Sequence, residues 1–212
     1  MSRDEAEARR LDSEDPLGHL RERFHIPFVP GTERESIYLC GNSLGCQPKA
    51  LQAAMTQELA DWATLGVEGH FHAAVPWYRY HEALREGAAA VVGAKPHEVV
   101  VMNSLTTNLH LLMISFYRPT AERYRILIDA PCFPSDVYAV KSQLRLQGRD
   151  PEEDLVWIRP REGEHTVRTE DLVALLEREG ESIALVLNGG VNYLTGQLHD
   201  LDAWSTAAHA AG

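Results

Sequence analysis

The second half of the chain alternates between short apolar runs and longer segments in which apolar residues recur with helical spacing. The predicted strands are 126–129, 155–158 and 183–187, and the predicted helices lie near 136–147, 170–179 and 201–211. Continuous apolar strands indicate burial on both faces, and their alternation with helices indicates a mainly parallel sheet flanked by helices. The pattern therefore predicts an α/β fold.

The beginning of the chain has a different pattern. Residues 2–24 are rich in charge and carry scattered leucines, which is typical of one or two exposed helices. Residues 1–35 are therefore predicted to form an N-terminal helical arm, and residues 36–212 to belong to one α/β domain.

Between the arm and the regular second half, the pattern predicts strands at 36–40 and 98–102. It also predicts helices that begin at Pro48 and Pro76, since proline is favoured in the first turn of a helix. The first of these helices carries an apolar stripe made of Leu51, Met55, Leu59 and Trp62.

Composition narrows the range of partners. The formal charge is −11, from 20 basic and 31 acidic residues, which disfavours nucleic acid and anionic membranes as partners. No apolar run approaches the roughly 20 residues that span a bilayer, and the N-terminus is charged. The three cysteines, Cys40, Cys46 and Cys132, form no C-x-x-C pair, which is typical of a reducing compartment. We therefore expect a cytoplasmic protein that acts on a small molecule.

Histidines in the first half raise the possibility of a metal site. His70, His72 and His81 combine an H-x-H pair with a third histidine nine residues on, a spacing that is not typical of zinc ligands. No metal is predicted, and a metal-binding module is the weakest of the functional hypotheses. A contact with substrate or a capping role suits His70 better.

Polar and aromatic side chains gather where predicted strands end and helices begin. Such junctions occur at 129–136 and 103–108, and a glycine-rich segment, 189–196, follows a third strand. In open α/β sheets, ligands bind at the carboxyl ends of the strands. The sequence therefore predicts a ligand site built from these loops.

Each side chain at the junctions has a structural and a functional interpretation. Phe133 could stack on a flat heteroaromatic ring or could be an ordinary core residue. Asp136 could stabilise a cationic heterocycle or could cap a helix. Thr106 and Thr107 could bind a phosphate at a helix N-terminus or could serve as N-caps. Taken together, the junctions describe a pocket for a ring that bears a phosphate, and pyridoxal phosphate fits that description.

Several ordered motifs resemble those of one family. Residues 41–49, GNSLGCQPK, resemble the "GNSLG-x-QPK" motif of kynureninases, and residues 102–113, MNSLTTNLHLLM, resemble their "MN-x-LT-x-NLHLLM" motif. The segments FPSD at 133–136, RPREGE at 159–164 and YLTGQ at 193–197 match in order and spacing. The resemblance runs from about residue 15 to residue 212.

The resemblance implies a fold-type-I large domain that binds pyridoxal 5′-phosphate. It implies cofactor-binding roles for Leu105, Thr106, Phe133, Pro134, Ser135 and Asp136. Leu105 and Thr106 would bind the phosphate, Phe133 would stack on the pyridine ring, and Asp136 would tune its charge. Ser43 and His70 would face the substrate. Gly189 departs from the eukaryotic pattern, which has a serine there.

The family hydrolyses L-kynurenine, and often 3-hydroxykynurenine, to anthranilate or 3-hydroxyanthranilate and L-alanine. The resemblance thus implies a role in tryptophan degradation and NAD biosynthesis, a kynurenine-class substrate and a homodimer. It also places the lysine that holds the cofactor beyond Gly212, so no catalytic residue is assigned and the domain is expected to be truncated before that lysine. Two alternatives stay open: a catalytically inactive fragment of the enzyme, and another fold-type-I enzyme similar to cysteine desulfurases.

Overall fold

A computed structural model of the protein describes residues 3–212, so the first two positions of the predicted arm lie outside the described residues. The chain divides into two compact units, with the division between Val101 and Met102. The predicted division between residues 35 and 36 is a separate hypothesis and stays a prediction. In the part of the chain that the structure describes, no helix combines the length and the apolar character needed to cross a bilayer.

The first unit is mainly helical. Its helices are α1 (Arg3–Glu14), α2 (Leu51–Leu65), α3 (Gly69–His72) and α4 (Tyr80–Val92), and its strands are β1 (Phe24–His25) and β2 (Gln47–Pro48). The two short strands pair antiparallel. The apolar stripe predicted for α2 faces solvent in this chain, where Met55 is 52% and Trp62 is 67% exposed.

Two strands predicted before the regular second half, 36–40 and 98–102, are wrong. Neither segment forms a strand, and Ile37 is 90% exposed. Apolar, β-branched composition favours a strand only where a neighbouring strand accepts its backbone hydrogen bonds. Within the described residues these two segments have no such neighbour, which explains why they stay irregular.

The second unit is an α/β layer structure. Its strands are β3 (Arg125–Asp129), β4 (Leu155–Ile158) and β5 (Ile183–Leu187), and its helices are α5 (Leu105–Phe116), α6 (Pro134–Leu146), α7 (Pro151–Asp154), α8 (Thr169–Glu179) and α9 (Leu201–Ala210). The strands form a parallel sheet in the order β4-β3-β5. The three strands and three helices predicted here are confirmed, with small shifts at their ends.

Strand β3 lies at the centre of the sheet and has a core on each face. Leu127 packs with residues of α8 and α9, including Leu172 and Trp204. Ile126 and Ile128 point to the other face and pack with residues of α5 and α6. This alternation follows from strand geometry, and it fixes where β3 ends. Asp129 is therefore held at a defined place, at the carboxyl end of the central strand.

Candidate functional site

The loops that follow β3 and β5 enclose a cavity of about 100 Å³ at the carboxyl end of the sheet. Its walls are Asp129, Pro131, Cys132, Phe133, Asp136, Gly189, Val191, Asn192 and Tyr193. Since β3 and β5 are adjacent and parallel, their carboxyl ends lie side by side and bring the two loops together. The predicted clustering of strand-end loops is thus observed for these two strands.

Phe133 stands at the start of α6 and is 48% exposed, so the interpretation as a core phenylalanine is wrong. Its ring meets that of Tyr193 edge to face, with centroids 5.1 Å apart and an interplanar angle of 83°. This contact fixes the orientation of the Phe133 ring while leaving much of its surface accessible. An accessible aromatic surface beside a polar cavity can stack on a flat ring.

Asp136 lies in the first turn of α6, where it lines the cavity. The helix begins without a side-chain cap, so the capping interpretation of Asp136 is not what the structure shows. Its Oδ1 accepts a hydrogen bond from the Ser135 hydroxyl at 3.2 Å. Together with Asp129, which also lines the cavity, it gives the cavity two carboxyl groups, which suits a cationic ligand.

The pKa of the Cys132 thiol is affected by its burial and by these two carboxylates. Burial, followed by the charges of Asp129 and Asp136, raises the pKa of Cys132 to about 11. At neutral pH the thiol is therefore protonated, and thiolate chemistry at this position is suppressed.

We expect slow alkylation of Cys132. With Cys40 and Cys46 replaced by serine, iodoacetamide should modify Cys132 about 10–100-fold more slowly at pH 8 than it modifies an ordinary exposed thiol, because so little thiolate is present. The rate should keep rising up to pH 10 and beyond. The matched control is a chain that keeps only the exposed Cys40. Equal rates for Cys132 and Cys40 at pH 8 would contradict the raised pKa.

The N-terminus of α5 has donors for an anion. Ser104 is the N-cap residue and accepts from the Thr107 N–H, and the hydroxyls of Ser104 and Thr107 lie 3.1 Å apart. Within the described residues, the Thr106 hydroxyl and the N–H groups of Leu105 and Thr106 have no hydrogen-bond partner. First-turn N–H groups and the helix dipole favour an anion such as phosphate. The capping role thus falls to Ser104, which leaves Thr106 available.

Asn103 shapes the turn that leads into α5. Its φ of 40° lies in the left-handed region, which asparagine adopts more readily than most residues. The Asn108 side chain donates to the Met102 carbonyl at 2.8 Å and holds the turn from the other side.

A buried amide joins the two loops of the cavity. Asn192 is 7% exposed, and its Nδ2 donates to Asp129 Oδ2 and to the Pro131 carbonyl, each at 2.9 Å. His199 Nε2 lies 3.5 Å from Asp129 Oδ2, and the His199 side chain is 1% exposed. Roles for Asp129, Asn192, Tyr193 and His199 are not predicted from the sequence. Two signals in the sequence point to them: a carboxylate closes an apolar strand, and a glycine-rich loop follows β5.

Only some of the predicted site residues line the cavity. Phe133 and Asp136 line the cavity, whereas Pro134 and Ser135 lie in the same helical turn outside the lining. Leu105 and Thr106 lie at the start of α5 in the same unit, also outside the lining.

The two residues predicted to face the substrate belong to the first unit. Ser43 lies in an exposed turn. The His70 ring packs edge to face with Trp77 at 5.5 Å, and Trp77 is held by a 2.8 Å hydrogen bond to Glu58. Among the described residues, no cluster of three or more histidine, cysteine or acidic side chains is placed to hold a metal ion.

Gly189 lines the cavity at the point where the resemblance leads one to expect a serine. A Cβ at this position would lie 3.3 Å from the Val191 carbonyl oxygen, a tight contact that the loop would have to relieve. Glycine avoids that contact, and it offers no side-chain hydroxyl to a ligand.

The comparison with curated proteins gives strong matches to kynureninases. The chain is 55% identical to the kynureninase of Myxococcus xanthus over 209 residues, 98% of this chain and 49% of that protein. It is 56% identical to that of Koribacter versatilis over 202 residues, 95% of this chain and 47% of that protein. The chain thus spans about half the length of the curated relatives it matches. No protein-family model matches the chain.

Solved structures agree on the fold. The apo cysteine desulfurase of Thermococcus onnurineus is similar with a TM-score of 0.59 and 17% identity, over 96% of this chain and 45% of that one. A C-DES mutant with glycine covalently linked to its PLP cofactor gives a TM-score of 0.58 and 16% identity, over 78% of this chain and 41% of that one. These likenesses confirm the predicted fold class, that of fold-type-I pyridoxal-phosphate enzymes. Nearly the whole chain is therefore similar in sequence to kynureninases, over about half the length of those proteins.

Proposed function

We propose that the protein carrying this chain is a kynureninase. It would hydrolyse L-kynurenine, 3-hydroxykynurenine or both to anthranilate or 3-hydroxyanthranilate and L-alanine, with pyridoxal 5′-phosphate as cofactor. The observation that carries the proposal is the combination of high identity to kynureninases with a polar cavity at the carboxyl ends of two parallel strands.

The residues of the second unit fit the cofactor. The Thr106 hydroxyl and the free N–H groups at the start of α5 suit a phosphate group. The accessible ring of Phe133 suits the face of a pyridine, and the carboxyl groups of Asp136 and Asp129 suit a positively charged ring. Pyridoxal phosphate, when bound, supplies the electron sink that breaking a carbon–carbon bond next to an amino acid requires.

We propose that the chain's own part in the reaction is to bind and orient. Phe133, held by Tyr193, limits how the ring can tilt, and Asp136 favours the protonated ring. Ser43 and His70 stay predictions for substrate contacts. Cytoplasmic location, a role in NAD biosynthesis and a homodimer are also proposals. The exposed apolar stripe of α2, which includes Met55 and Trp62, is surface that a subunit contact would cover.

We propose further that residues 1–212 by themselves do not turn over kynurenine. The covalent chemistry requires a lysine, and no lysine lines the cavity. In the second unit, the amine of Lys141 is bound to Glu152 at 2.7 Å. Lys49 and Lys95 belong to the first unit.

A chimera tests the activity. The part of the Myxococcus xanthus kynureninase that follows the matched region would be fused after Gly212, and anthranilate fluorescence would be followed with L-kynurenine as substrate. We expect release of anthranilate by the chimera and none by the 212-residue chain.

Three other results of this experiment would contradict one of the proposals. An inactive, folded chimera beside an active Myxococcus enzyme would count against the proposed activity. Sulfide release from cysteine without anthranilate would favour the alternative of a desulfurase-like enzyme. Turnover by the 212-residue chain alone would refute its proposed inactivity.

A further inference from the structure

We propose that Asn192 is a positioning residue that holds the contacting rings of Phe133 and Tyr193 in place at the cavity, and so sets the affinity for the pyridine ring. This inference rests on the proposed cofactor. The cavity is lined by the loops after β3 and β5, so its shape depends on how these two loops are held together. The buried side chain of Asn192 joins them by hydrogen bonds.

Asn192 uses its full hydrogen-bonding capacity. Its two Nδ2 donors go to the loop after β3, at Asp129 and at the Pro131 carbonyl. Its Oδ1 accepts from the backbone N–H groups of Leu194 and Thr195 at 3.0 and 3.1 Å, inside its own loop. An amide has two donors and two acceptor sites, and all four are occupied across two loops.

These bonds act directly on the aromatic pair. Pro131 lies two residues before Phe133, and Asn192 immediately precedes Tyr193, so the amide joins the two loops close to both rings. The edge-to-face contact of Phe133 and Tyr193 at 5.1 Å is a second connection between these loops. Loss of the amide would leave the ring pair less firmly held and would allow the tilt of the Phe133 ring to vary.

Asp129 anchors the Asn192 amide to the sheet. It closes β3 and is 4% exposed, and Nε2 of the buried His199 lies 3.5 Å from its Oδ2. His199 in turn packs against Trp204 at a ring distance of 4.9 Å and donates its backbone N–H to the Gly190 carbonyl. Asn192 is therefore tied to the sheet itself through Asp129, whereas a surface loop would normally be free to shift.

A matched control lies in the same loop. Gln197 also uses a partly buried amide, whose Oε1 accepts from the Val167 N–H and whose Nε2 donates to the Val167 carbonyl. It ties the loop after β5 to the segment after β4 and lies outside the cavity lining. Asn192→Asp and Gln197→Glu are both isosteric changes from amide to acid, but only the first removes the donors that join the two loops of the cavity.

The test measures binding of pyridoxine 5′-phosphate to the 212-residue chain by calorimetry, since this ligand needs no lysine. Asn192→Asp should weaken binding at least about tenfold, because it removes two donors and sets a carboxylate beside Asp129, while Gln197→Glu should change it less than about twofold. Combining Asn192→Asp with Asp129→Asn restores an amide–carboxylate pair with the roles exchanged and should recover part of the lost affinity.

A second readout does not depend on the ligand. With 3-fluorotyrosine incorporated, and the signal of residue 193 assigned through Tyr193→Phe, the Asn192→Asp change should shift and broaden that ¹⁹F resonance, and Gln197→Glu should not.

The outcomes separate the two proposals. If the unsubstituted chain binds pyridoxine 5′-phosphate and Asn192→Asp binds it equally well, the positioning role is refuted and the cofactor site stands. Equal losses from Asn192→Asp and Gln197→Glu would also refute it, since they would show a general need for loop integrity. If the folded, unsubstituted chain does not bind the ligand, the proposed cofactor site is wrong and this inference falls with it.

Discussion

Leu127→Ala is expected to remove a large share of the free energy of unfolding of the second unit. Leu127 lies at the centre of β3, is 0% exposed, and packs with Val156, Leu172 and Trp204. Truncation of a fully buried leucine costs about 2–5 kcal/mol, out of the roughly 5–15 kcal/mol that holds a typical domain folded. Urea titration measures the change, followed by tryptophan fluorescence in a chain whose other three tryptophans are replaced by phenylalanine, because Trp204 lies in the same cluster as Leu127.

The control is a leucine of the same unit whose side chain is largely exposed. Leu146, at the end of α6, is 65% exposed, so Leu146→Ala should change the free energy of unfolding by less than about 0.5 kcal/mol. If both substitutions lowered the free energy of unfolding equally, with the slope against urea concentration unchanged, β3 would not be the centre of the core. Because β3 also carries Asp129, loss of packing at Leu127 should loosen the cavity as well.

The second unit could be read from the sequence because local and tertiary signals agree there. The runs at 155–158 and 183–187 are apolar, bounded by turn residues and flanked by helices, and each strand has a neighbour to pair with. The segments 36–40 and 98–102 have a similar composition but no neighbouring strand among the described residues, so the same signal failed. Strand formation depends on a partner, which composition does not reveal.

In the candidate site too, residues with a local signal were predicted, and residues that depend on distant contacts were not. Phe133 and Asp136 were predicted because an aromatic ring and a carboxylate at a strand-to-helix junction suggest ligand chemistry. Asn192 escaped prediction because its importance comes from contacts with residues about sixty positions away, Asp129 and Pro131. An asparagine in a glycine-rich loop usually serves a turn, and Asn192 does so through Leu194 and Thr195. Its second role appears only when β3 and β5 lie side by side.

Asp136→Asn is expected to weaken binding of pyridoxine 5′-phosphate to the 212-residue chain by about 10–100-fold, because a charged hydrogen bond or ion pair contributes about 1.5–3 kcal/mol. Asp136 is half-buried, so the lower part of that range is the firmer expectation. Calorimetric titration measures the loss. The matched control is Asp202→Asn, which alters an exposed aspartate in the first turn of α9 and should leave the affinity unchanged.

A ligand without the ring nitrogen is a sharper control than a second substitution. Benzyl phosphate keeps an aromatic ring and a phosphate but has no nitrogen to carry positive charge. If Asp136 acts through the charge of the ring, Asp136→Asn should leave the weak binding of benzyl phosphate within about twofold, since both carboxylate and amide can fill the same space. Equal losses for both ligands would mean that Asp136 shapes the cavity and does not tune the ring. Its partner Ser135, whose hydroxyl donates to Asp136 Oδ1, would then be part of the same structural turn. A loss confined to pyridoxine 5′-phosphate assigns the carboxylate to the cationic ring.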